Sequence, residues 1–162
     1  MESKKIDTYD VYNNKYVADI NKLDLSVHVY GIAIENGEIL ISPQYDGFDF
    51  PGGTVEKGET HIDTLVREVK EETGYLVEPI ELLNVYTSFF HHIKQNKDYQ
   101  SYLIYYLVKI VDGEISNEGF DEDEKEYAKT AKWINIKELK NMRHASSINV
   151  VDELINKILN RN

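Results

Sequence analysis

The stretch from Thr60 to Thr73 constrains this chain more than any other. Thr60 followed by Asp63 has the form of a capping box, and Gly74 supplies a left-handed stop. Between them Ile62, Leu65, Val66 and Val69 recur at the spacing of a helix with one buried stripe. At about 100° per residue, Glu68, Glu71 and Glu72 share a flank beside that stripe. Burying the stripe therefore carries three carboxylates to the edge of the core. Just upstream, Gly47, Pro51, Gly52 and Gly53 lie within seven residues. They predict a loop of unusual dihedrals where backbone can approach a ligand closely.

The remaining pattern is mostly strand. Leu25 to Ile34 is rich in β-branched residues, Asn36-Gly37 marks a tight turn, and Ile39 to Ile41 resumes the strand, which together read as a hairpin. Ile80 to Phe90 and Tyr99 to Val111 read as two long antiparallel strands joined by the polar stretch His91 to Asp98. Ala131 to Ile136 predicts a further strand, and Ile136 to Met142 and Ile148 to Leu159 predict helices. Strands, helix, strands, helices in that order suggest a mixed sheet flanked by helices, an α/β (α+β) architecture. No repeat and no Pro- or Gly-rich linker interrupts the 162 residues, so residues 1–162 read as one domain, with 1–24 a strand-forming arm. That arm offers Thr8 to Ile20 as an edge for pairing across a two-fold axis in a homodimer.

Charge narrows the partners. There are 18 Lys plus Arg against 29 Asp plus Glu, a formal net charge of −11. This excludes the broad cationic surface that duplex nucleic acid demands. Residues 112–126 hold eight acids and one lysine, −7 of that total. No window offers the roughly 18 apolar residues of a spanning helix, and MESKKIDTYD is not a leader sequence, so no membrane association is expected and the chain reads as cytoplasmic. Without cysteine, a metal must be held by oxygen or histidine.

From Gly53 to Tyr75 the residues read G-x5-E-x7-R-E-V-x-E-E-x-G-Y. This resembles the Nudix box, G-x5-E-x7-R-E-U-x-E-E-x-G-U with U a bulky aliphatic residue, and departs from it only at Tyr75. The preceding Phe50-Pro51-Gly52 is also similar to the family's approach to the box. The resemblance implies a Nudix-like α/β/α sandwich with a mixed β-sheet. It also implies hydrolysis of a nucleoside diphosphate linked to another group, by water attack on phosphorus with Mg²⁺ or Mn²⁺. Glu68, Glu71, Glu72 and the Gly52 carbonyl are then the implied metal ligands. Glu71, Glu72 and Arg67 are the implied catalytic groups, with Arg67 and Glu59 ordering the carboxylates. Phe50, Gly53 and Phe90 are expected at the substrate.

The residues support that chemistry separately. Glu68 with Glu71 and Glu68 with Glu72 stand at i, i+3 and i, i+4, where like charges repel by a few tenths of a kcal/mol per pair. A divalent cation shared with a diphosphate removes the repulsion. Other readings remain open: the base can come from the acids of Glu118 to Glu126, and His91 and His92 can be turn residues or substrate contacts. Tyr45, Phe48, Tyr86, Phe89 and Tyr102 can pack in the core or stack on a base. A non-catalytic nucleotide sensor on the same fold is the alternative function. An isomerase relying on a cysteine is disfavoured.

Overall fold

Alternation along the strands sends apolar residues to two opposite layers. In the computed structural model, which describes residues 3–116, 118, 119, 122 and 124–161, Ile39 and Ile41 enter one core cluster and Leu40 the other. The first cluster packs under helix α3 (Val151–Leu159) through Leu154 and Ile155. The second packs under helix α1 (His61–Thr73) through Leu65 and Val69. Period-two side-chain direction thus produces the α/β/α layering, with strands between the helices.

The strands form a mixed, two-part sheet. β1 (Lys5–Tyr9) and β2 (Lys15–Asp19) make an N-terminal hairpin. They are followed by β3 (Asp24–Ile32), β4 (Ile34–Glu35), β5 (Glu38–Gln44), β6 (Gly47–Asp49) and β7 (Gly52–Thr54). After α1 come β8 (Leu76–His92), β9 (Lys97–Asp112), the short helix α2 (Glu124–Tyr127) and β10 (Lys132–Asn135). The larger sheet has the order β2-β1-β8-β9-β3-β7 and the smaller one β10-β5-β4, with β6 on β5. β3 runs parallel to β9, while β8 and β9 pair antiparallel.

The local chemistry explains the boundaries. Thr60 accepts from the Asp63 N–H while the Asp63 side chain accepts from the Thr60 N–H, closing the capping box, and Gly74 caps the far end in the left-handed region. Asn36 and Gly37 both take positive φ, 52° and 81°, as a primed hairpin turn requires. That turn joins β4 to β5, so the strand expected over Leu25 to Ile34 is broken at Ala33, where the chain passes from one sheet to the other.

Other elements differ from the sequence reading. The stretch Gly47 to Gly53, expected as irregular loop, contributes to two short strands, because Gly47–Asp49 pairs antiparallel with β5 and Gly52–Thr54 with β3. Ile136–Asn141 is a 3-10 helix, capped by the Asn135 side chain. α3 begins at Val151 rather than Ile148, where the Asn149 side chain accepts from the Val151 N–H. The long strands run on through His91 and His92 to a turn before Lys97.

Candidate active site

The helix α1 meets the sheet at β7, and the contact is close because Gly53 has no side chain. A Cβ there would lie 2.4 Å from Cδ of Glu68. Next to it, Glu72 accepts from the Ser42 hydroxyl at 2.8 Å and from the Gly52 N–H at 3.1 Å. Glu68 and Glu72 are both buried, and both line a cleft of about 760 Å³ together with Gly52 and Gly53. That volume falls in the range of small-molecule sites.

Arg67 organises the helix from behind. Its Nε and Nη2 clasp the two carboxylate oxygens of Glu59 at 2.7 and 2.9 Å, and Nη1 reaches Glu68 at 2.8 Å and Glu71 at 3.1 Å. The planar fork fixes three carboxylates at once. The Arg67 hydrogen bonds, then that of Thr64, hold the Glu59 carboxyl down at about 2. The same Glu59 contact keeps the guanidinium charged by raising its pKa.

Glu71 differs from its neighbours: its side chain is 39% exposed and outside the cleft wall. A Cβ on Gly119 would lie 2.5 Å from the Glu71 backbone, so Gly119 lies against this turn of α1. Of the acidic run Glu118 to Glu126, Asp121 and Asp123 lie outside the described residues. Glu122 pairs with Lys125, and Glu126 pairs with Lys94 at the cleft. Phe90 and Gly53 line the cleft, whereas Phe50 is 1% exposed in the core against Tyr105 and His144.

Several cleft groups carry no local signal in the sequence. His28 reaches Thr54 through Nδ1 at 3.2 Å and Ser26 through Nε2 at 3.1 Å, and Ser26 meets Ser101 at 2.7 Å. Burial pushes the His28 pKa down to about 4, against a smaller opposing pull from Asp49. Asp49 itself is buried, accepting from the Phe50 N–H at 2.8 Å and meeting His144 Nε2 at 2.9 Å. His28, Asp49 and His144 come from two strands and a loop distant in sequence, so only folding brings them together.

The donors at the carboxylate end suit a hard cation. Glu68 and Glu72 offer oxygen alone, beside backbone that a side chain would block. Among the described residues no three acidic or imidazole groups converge tightly enough to hold a metal ion by themselves. One or two carboxylates completed by water and phosphate oxygens is the usual protein share of a Mg²⁺ site, so this set fits Mg²⁺ or Mn²⁺ better than a cation that needs a full protein cage.

Comparison with known proteins places this geometry. The NUDIX domain family profile matches residues 22–154. An ADP-ribose pyrophosphatase of Methanocaldococcus jannaschii is 33% identical over 129 residues, covering 72% of each chain. A protein of Caenorhabditis elegans described as a nudix hydrolase is 37% identical over 65% of this chain, which spans only 26% of that longer protein. Among solved structures, a NUDIX hydrolase from Nitrosomonas europaea superimposes with a TM-score of 0.63 at 20% identity, covering 84% of this chain and 89% of that one. That likeness is one of fold. No described helix is long and apolar enough to cross a membrane.

Proposed function

The chain belongs to the Nudix family, and from that premise we propose that it is a divalent-cation-dependent pyrophosphohydrolase. It cleaves the diphosphate linkage of a small-molecule nucleotide by attack of water on phosphorus. One observation carries the reading: two buried carboxylates, Glu68 and Glu72, stand together at the edge of a nucleotide-sized cleft, against a backbone stripped of side chains at Gly52 and Gly53.

Glu68 and Glu72 would hold Mg²⁺ or Mn²⁺, with Glu71 and the Gly52 carbonyl as the further candidates. The cation supplies charge neutralisation for the phosphates and a more acidic water. Arg67 holds Glu68 and Glu71 in register by direct contact. Ser42 and the Gly52 N–H orient Glu72 by donating to the same oxygen. Gly53 and Phe90 face the substrate from two sides of the cleft. The residual negative field of the protein makes the cation necessary for a polyanionic substrate. The chain acts as one domain in the cytoplasm, on a soluble nucleotide, and the outer edge of β2, the end strand of its sheet, is the pairing edge of a homodimer.

The test is a panel of ADP-ribose, UDP-glucose and dGTP with Mg²⁺, Mn²⁺ or EDTA, comparing wild type with Glu72→Gln. Cation-dependent product from wild type, lowered at least about a hundredfold in the variant, is expected. Nucleotide binding without phosphate-ester product in any arm would replace the hydrolase with a nucleotide sensor.

A further inference from the structure

The N-terminal hairpin lies outside the family match, which begins at residue 22, yet it forms part of the cleft. Val11 and Tyr12 line it, and Tyr9 pairs with Phe90 as a parallel extension of β8. The hairpin also clamps one histidine. His91 Nδ1 lies 3.0 Å from Asp98 Oδ1, and the Thr8 hydroxyl donates to that same oxygen at 2.6 Å. The Tyr16 ring stacks on the imidazole with centroids 3.8 Å apart and planes 16° from parallel. Three side chains, from β1, β2 and β9, thus fix the ring that β8 carries on the cleft wall.

The clamp fixes chemistry as well as position. Where Nδ1–H donates to Asp98 Oδ1, the tautomer is the one that leaves a lone pair at Nε2. Nε2 has no hydrogen-bond partner among the described residues. His91 is 7% exposed and is one of the residues that line the cleft.

Its place in the sheet separates it from the carboxylates. Glu68 abuts β7, and β8 is three strands away in the order β8-β9-β3-β7, roughly 14 Å at ordinary strand spacing. Register adds to this. Gly53 stands level with Val29, Ile104 and Val85, and His91 lies six positions further along β8. His91 and the carboxylates line the same cleft from different strands, so a contact at His91 falls on a part of the substrate remote from a diphosphate held at Glu68 and Glu72.

We propose that His91 is a specificity-determining residue whose Nε2 accepts a hydrogen bond from a donor, a sugar hydroxyl or an exocyclic amine, on the part of the substrate remote from the scissile linkage. Asp98, Thr8 and Tyr16 are positioning residues that act through His91. This rests on the hydrolase reading for the identity of the substrate, while the contact itself does not need turnover.

The experiment uses the full chain with Mg²⁺ and two readouts. For kinetics on ADP-ribose and UDP-glucose, His91→Phe keeps the ring stack but removes the acceptor. It raises KM at least about tenfold with little change in kcat, and His91→Gln recovers part of the loss. Thr8→Val raises KM less, and Thr8→Ser restores it, with thermal midpoints unchanged among the four. For binding, ¹⁵N spectra of labelled histidine show His91 as the Nδ1–H tautomer, with Nε2 shifting on addition of AMP, UMP or ribose 5-phosphate. The product half that moves it identifies which end lies there. Wild-type KM for both substrates in His91→Phe, with Nε2 unmoved by all three probes, overturns the proposal and leaves the hydrolase intact. A shifted Nε2 in a protein that hydrolyses nothing in the panel supports the contact and removes only the hydrolase reading.

Discussion

Arg67 grips Glu59 with two nitrogens, Nε to Oε1 at 2.7 Å and Nη2 to Oε2 at 2.9 Å, across the loop that leads into α1. The remaining nitrogen is thereby aimed at Glu68 and Glu71. Arg67→Lys retains the charge but can hold only one of these directions at a time. Steady-state kinetics should show kcat/KM reduced by roughly tenfold to a hundredfold, with the melting temperature lowered slightly. Turnover equal to wild type would remove Arg67 from the working site.

The same pair sets an acid limb of stability. The Glu59 carboxyl is depressed to about 2 in the folded chain from its ordinary value of 4.5, first by the Arg67 hydrogen bond. A depressed carboxyl contributes stability that is complete above its unfolded pKa and is lost as pH falls through the folded one. Denaturant melts between pH 5 and 2 should therefore decline less steeply in Glu59→Gln than in wild type. Parallel curves would show that the clasp adds nothing across this window.

Gly53→Ala tests the close approach of helix to strand. The new Cβ would collide with the Glu68 carboxyl group, which is the movable end of a side chain. The expected outcome is a folded protein by circular dichroism with catalysis reduced about a hundredfold, since displacement of a reactive group by about 1 Å can cost that much. Retained activity would mean that Glu68 need not sit where it does.

His28 should titrate near pH 4 in a histidine NMR experiment, because burial opposes its charge. The sign follows from linkage. Between the ordinary value of 6.5 and about 4 the unfolded chain takes up a proton that the folded chain refuses. Stability thus falls as pH drops through that interval and this contribution levels off below it. His28→Gln should flatten the slope between pH 6.5 and 4, and a midpoint near 6.5 for His28 would show the ring to be solvated.

Helix α1 was legible in the sequence to within one residue because its cap, stripe and stop are all local. The angular order of its acids was legible too. Glu72 and Glu68 lie nearer the apolar stripe than Glu71, and they are the two that burial claims. The alternation that splits Ile39 and Ile41 from Leu40 likewise follows from two-residue periodicity. Phe50 illustrates the limit. Its neighbours Gly52 and Gly53 reach the cleft, but packing against Tyr105 and His144 turns its ring into the core.

By itself, then, the order of residues determined the helix, its carboxylates, the paired long strands and the family of chemistry, since each depends on groups within a few positions of one another. The tertiary structure alone decided that Ser42 would orient Glu72 and that Glu71 would stand outside the cleft. It alone decided that Thr8 would meet Asp98 ninety residues away to hold His91. Such contacts are set by sheet order and register. Those depend on how whole faces bury against each other, and short-range periodicity carries no record of which distant strand will become a neighbour.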